Sequence, residues 1–243
     1  MKTYKANAVI IGALFIFTTL TGMIDAYLVA PEFKQPIMNI LQIDNKVLTG
    51  AFSVLVMSIG IVFIAIAFFP VIKKHNESIA LTYVIFRAIE SMLLITGAIC
   101  YMYIIALGKN YTNATVFPDY VIAIALALKI KYYGFQFAMI ILGIGSLFLC
   151  YSLYRSRLVP GFLSIWGGIG YLCLFLSAVL DICGVIDTTN GSGSILYVPG
   201  GLWELIVFPI WLFIKGFDFS FIKSHSSPGQ AHDPDFMSSV PGN

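Results

Sequence analysis

Arg87 and Glu90 stand three residues apart inside an otherwise apolar run. That spacing puts both on one face of an α-helix, and Tyr83, Leu94, Gly97 and Tyr101 continue the same face. Glu204 stands in a second apolar run, on a face with Gly200, Phe208, Trp211 and Lys215. A charge near the middle of a bilayer costs about 2.5–3.5 kcal/mol on insertion scales, so these faces should point into a bundle where the charges find partners. One guanidinium cannot neutralise two carboxylates, so Glu90 is the natural partner of Arg87 and Glu204 is the surplus acid. Such a group can carry a proton or exchange it for a cation. Asp25, Asp181 and Gln136 lie nearer the outer ends of their runs and would form the approach. Together the six residues make a candidate site for a small polar or cationic ligand. The core charges read equally well as a structural ion pair that fixes helix register, in a non-catalytic membrane partner or regulator. An intramembrane enzyme with Glu90 and Glu204 as acid and base ranks below both readings, because no nucleophile or metal set accompanies them.

Other chemistries have little to stand on. His75, His225 and His232 all lie outside the apolar runs, and neither an HExxH nor a GxSxG pattern occurs. No catalytic residue, metal site or cofactor is assigned on that basis. Cys100, Cys150, Cys173 and Cys183 sit in apolar runs without a CxxC pair and read as small packing residues. No basic stripe interleaved with aromatics points to nucleic acid.

The elements that must position these residues are legible from hydropathy. Of the 243 residues, 59% are apolar and 11% charged, with a mean hydropathy of +0.90. A water-facing domain carries about 25% charged residues, so lipid is the partner that solvates this chain. Long unbroken apolar runs argue against a β-barrel, whose strands alternate. The fold class is all-α: a polytopic integral membrane bundle of about six transmembrane helices. The runs lie at about 8–30, 47–70, 79–107, 132–154, 160–186 and 195–217. The first is too long for a signal-peptide core and reads as an uncleaved span.

Eight lysines and arginines fall on the side of the N-terminus (side one) and five, Lys34, Lys46, Lys109, Lys129 and Lys131, on side two. The positive-inside rule then places both termini in the cytoplasm. Residues 1–223 form the membrane domain and 224–243 a disordered cytoplasmic tail. IMNILQI, within 31–46, reads as a short interfacial helix; VIAIALAL at 121–128 reads as another, or as an extension of the fourth span. The Gly/Ser-rich stretch DTTNGSGS at 187–194 reads as a flexible loop. Arg155 and Arg157 flank a short link into Pro160, which makes the fourth and fifth spans antiparallel neighbours. Gly167, Gly168 and Gly170, with Gly143 and Gly145, would let them approach closely. Pro209 should free the carbonyl of Leu205, beside Glu204.

Three segments carry a family resemblance: FRAIESMLLITG at 86–97, LYRSRLVPGFLSIWGGIGY at 153–171 and GLWELIVFPIWLFIKGF at 201–217. With them, nearly the whole chain except the tail resembles the bacterial multi-span proteins grouped as domain of unknown function 4386. The resemblance implies a six-helix protein of a bacterial cytoplasmic membrane and adds nothing on chemistry.

Overall fold

The computed structural model describes residues 2–34, 44–110, 117–189 and 191–218. Among them there is no strand. Helix α1 (Lys2–Ile24) continues through a π-helical turn, Asp25–Val29. Helices α2 (Asp44–Ile72), α3 (Glu77–Asn110), α4 (Phe117–Ser156) and α5 (Gly161–Ile182) follow. The last span is composite: α6 (Val198–Leu202), a π-helical turn at Trp203–Val207, then α7 (Phe208–Ile214). Six helical stretches are long and apolar enough to cross a membrane: Lys5–Val29, Asn45–Ile72, Glu77–Lys109, Pro118–Ser156, Gly161–Ile182 and Gly193–Ile214.

Helix ends differ from the apolar runs for identifiable reasons. Pro70 does not end α2, which runs on to Ile72, because a proline in the last turn removes only one hydrogen bond. The fourth span begins well before residue 132. VIAIALAL extends it, and Lys129 and Lys131 lie inside α4 rather than in a loop. At 40 residues α4 is about 60 Å long, well beyond the roughly 30 Å of a hydrocarbon core. The fifth span stops at Ile182, before residue 186, where Gly184 turns the chain with φ +71°. The interfacial helix expected at IMNILQI, the tail from 224 and Asn190 lie outside the described residues.

Each span packs on its neighbours in sequence, and the sixth returns to α1 and α5, so the six close into a ring. Outward positions are large and apolar, Phe17, Phe63, Met92, Ile122 and Ile165 among them, as a lipid-facing surface requires. Inside, Phe15 meets Phe68, Trp203 and Phe208 edge-on, and Trp203 stacks on Phe208 at 4.2 Å. Trp203 donates its indole N–H to the carbonyl of Leu163 at 2.8 Å, which satisfies the one polar atom of that buried ring.

Glycines set the close approaches. The fourth and fifth spans do meet through Gly143, where a Cβ would lie 3.0 Å from the carbonyl of Tyr171 and 2.7 Å from Phe175. Gly167 and Gly170 serve mainly the sixth span instead. A Cβ on Gly167 would sit 2.8 Å from the Trp203 ring, and one on Gly170 2.8 Å from the Gly200 Cα.

Candidate functional site

Helix α3 turns Tyr83, Arg87, Glu90, Leu94 and Tyr101 inward, and all five are buried. Arg87 Nη1 donates to Glu90 Oε2 at 2.9 Å, one helical turn away. Their side chains are 3% and 2% exposed, so this pair is closed off. The Arg87 guanidinium carbon lies 5.7 Å from the centre of the Tyr83 ring. Arg87 Nε and the Tyr83 hydroxyl are buried without a hydrogen-bond partner.

Glu204 enters from the sixth span. Its Oε1 accepts the hydroxyl of Tyr171, from α5, at 2.7 Å. Arg87 acts on it electrostatically, and it acts in turn on Glu90, but no ion pair to Arg87 forms. The three core charges predicted from spacing therefore share one environment, with Glu90 as the bonded partner of the arginine. Tyr171 is the residue that spacing did not single out. It lies in an apolar run with nothing to mark it, and its partner is 33 positions away.

The backbone at Glu204 is unusual. The π turn directs the N–H of Phe208 to the carbonyl of Trp203, five residues back. The next donor in that register would be residue 209, a proline with no N–H. Pro209, expected to free the carbonyl of Leu205, stands just past this turn, in the first turn of α7. Asp25 also opens a π turn, closed by the N–H of Ala30 on its carbonyl. Such single-turn π segments recur at functional positions in helices.

The remaining predicted residues form two separate groups toward side two. Asp25 accepts the hydroxyl of Tyr101 at 2.5 Å and pairs with Lys131 Nζ at 3.0 Å. The same ammonium lies 4.8 Å from the Tyr101 ring centre, on which Phe33 stacks at 5.3 Å. Gly97 makes room for the Lys131 stem: a Cβ there would meet its Cγ at 3.3 Å. Lys131, counted above as a loop cation, is thus an ion-paired residue of the helix. In the second group Gln136 Nε2 donates to Asp181 Oδ2 at 2.5 Å and to Thr188 Oγ1 at 3.1 Å, and Thr188 donates to Asp181. No hydrogen bond or ion pair joins Asp25 to Asp181 or Gln136.

Thr188 belongs to the stretch expected to be flexible. Its described part is instead folded onto α5: Thr189 N donates to Asp187 Oδ1 at 2.7 Å, and Gly193 fits where a Cβ would lie 2.7 Å from the Asp187 carbonyl. Ser192–Tyr197 then forms a 3₁₀ turn into the sixth span.

The family described as Domain of unknown function (DUF4386) matches residues 10–216 of the chain. No curated protein and no solved structure matches it.

Proposed function

We propose that this chain, which belongs to the DUF4386 family, binds a proton or a small cation at Glu204 as part of a transport or ligand-binding cycle across a bacterial cytoplasmic membrane. The observation that carries the reading is the charge balance of the core. Arg87 is bonded to Glu90 at 2.9 Å, and the hydrogen bond of Glu204 comes from the neutral Tyr171 hydroxyl, with no ion pair to the arginine nearby. In a low-dielectric interior an acid without a bonded counter-cation can hold a proton or take up a cation.

The closed Arg87–Glu90 pair favours a structural role for those two residues. On this division the pair fixes the register of α3, and Glu204 with Tyr171 is the exchangeable part. If Glu204 also proves permanently ionised, the whole cluster is scaffolding and the protein is a partner or regulator.

Infrared difference spectroscopy on the purified protein, titrated from mildly acidic to mildly basic pH, tests the reading. A carboxylic-acid band that disappears in Glu204→Gln and shifts in Tyr171→Phe is expected. Adding sodium, potassium or a small organic amine at fixed pH should deplete that band if the site exchanges its proton for a cation. Wild-type and Glu204→Gln spectra that are identical in the acid region at every pH would overturn the proposal.

A further inference from the structure

A cavity of about 1170 Å³ opens at the side-one end of the bundle, away from the charged core. It lies between the α4–α5 link and the end of the sixth span. Its walls include Arg155, Arg157, Lys215 and His75, against one carboxylate, Asp218. The side chains of Arg155 and Lys215 are exposed and have no hydrogen-bond or ion-pair partner among the described residues. Two lining cations without an ion-pair partner among the described residues make a wall for an anion.

Three features of the backbone hold this wall in place. Arg157 adopts φ +53°, a left-handed conformation that residues other than glycine, asparagine and aspartate seldom take. Gly216, at φ +69°, ends the sixth span and turns the chain back. Asp218 N then donates to the carbonyl of Leu158 at 2.9 Å, which ties that return to the link. Helix α5 starts from Pro160 with no side-chain cap, leaving the N–H groups of Gly161, in the cavity wall, and of Phe162 for an acceptor. Trp211 also lines the cavity, and its indole N–H is buried without a partner.

We infer that this cavity binds a phosphate ester, with Arg155 and Lys215 holding the phosphate oxygens. Size argues against a bare ion, since ligand pockets of about 300–1,000 Å³ already hold drug-sized molecules. Trp211 and Phe217, both partly exposed, supply an apolar side for the organic part. Basic pockets at the membrane surface commonly take phospholipid headgroups, and Tyr154, exposed on the bundle surface, forms one edge of the opening. The same chemistry would also admit a water-soluble phosphate ester, and the test separates the two sources.

The purified protein is stripped of lipid by detergent exchange and its binding measured, by native mass spectrometry and thermal shift, to phosphatidylglycerol, glycerol 3-phosphate, inorganic phosphate and a neutral diacylglycerol. Saturable binding of phosphatidylglycerol alone identifies a lipid headgroup. Binding of glycerol 3-phosphate as well identifies a soluble ester. In either case Arg155→Gln with Lys215→Gln should weaken Kd at least tenfold, and Lys109→Gln, a control on side two, should leave it unchanged. The inference is overturned if neither ester binds better than inorganic phosphate and diacylglycerol. It is equally overturned if the Arg155→Gln, Lys215→Gln variant binds like wild type. The wild-type series alone is decisive should the double variant fold poorly.

Discussion

Tyr171 reaches from the fifth span to the sixth and donates its hydroxyl to Glu204 at 2.7 Å, so the surplus acid of the core is held by a neutral donor rather than by the arginine nearby. Tyr171 also meets Trp203 edge-on at 5.5 Å, which fixes the ring that carries the hydroxyl. The bond therefore joins α5 to the composite sixth span at the same depth as the Gly167–Trp203 contact.

Removing the two ends of that bond should have unequal consequences. Glu204→Gln keeps an acceptor for Tyr171 and mimics the protonated acid, so it should cost less than about 1 kcal/mol. Tyr171→Phe leaves Glu204 unsatisfied and should cost about 1–3 kcal/mol. Thermal unfolding in detergent checks the order. Equal, large losses in both variants would identify Glu204 as an ionised structural partner.

The Arg87–Glu90 pair should behave in the opposite way. Arg87→Ala leaves a buried carboxylate with no counter-charge, and a loss of about 3–5 kcal/mol is expected. The double variant Arg87→Met, Glu90→Leu replaces both charges with apolar side chains and should recover most of that loss. A double-mutant cycle on unfolding free energies measures the coupling. A double variant no more stable than Arg87→Ala would mean that Arg87 is held mainly by other groups.

Much of this was readable beforehand, and the rest was hidden for physical reasons. Apolar runs mark spans because lipid leaves no alternative, and i,i+3 spacing alone brings Arg87 to Glu90. Tyr171 gave no sign of its role because its partner is chosen by how the ring of helices closes. Lys131 reads from sequence as a loop cation because charge usually marks a loop. Here the charge lies within a helix extended past the apolar run and is neutralised by Asp25, 106 positions earlier. The two π turns depend on donor register, which hydropathy does not encode.

The glycines of α5 should separate by face. A Cβ on Gly167 or Gly170 would lie within 3 Å of the sixth span, whereas on Gly168 its nearest neighbour would be Cys150 Cβ at 3.9 Å. Gly167→Leu and Gly170→Leu should therefore each destabilise by at least about 1–3 kcal/mol through overpacking, and Gly168→Leu by much less. Melting temperatures of the three variants make the comparison. Similar values for all three would place Gly167 and Gly170 against lipid.

Lys129 and Lys131 offer a sharper contrast. Lys129 is exposed, and Lys131 is partly buried and paired with Asp25. Lys131→Met should cost about 1–3 kcal/mol, since Asp25 would keep only the Tyr101 hydroxyl. Lys129→Met should stay within about 0.5 kcal/mol of wild type. Chemical denaturation of both variants measures the difference. Indistinguishable midpoints would show that the ion pair contributes nothing to stability.

Orientation in the membrane follows from where the basic residues fall. Eight lie on side one and five on side two. The densest short clusters, Lys73 with Lys74 and Arg155 with Arg157, both flank short links on side one. Such links are where positive charge decides orientation, because a short basic loop resists translocation. Side one, with both termini and the basic cavity, should therefore face the cytoplasm, and the Thr188 loop should lie outside. Reporter fusions after Gly191 and after His225 check this directly. An alkaline phosphatase moiety should be active only at Gly191, and a green fluorescent protein should be fluorescent only at His225. A fluorescent Gly191 fusion would reverse the assignment and put the Arg155–Lys215 cavity on the outer face.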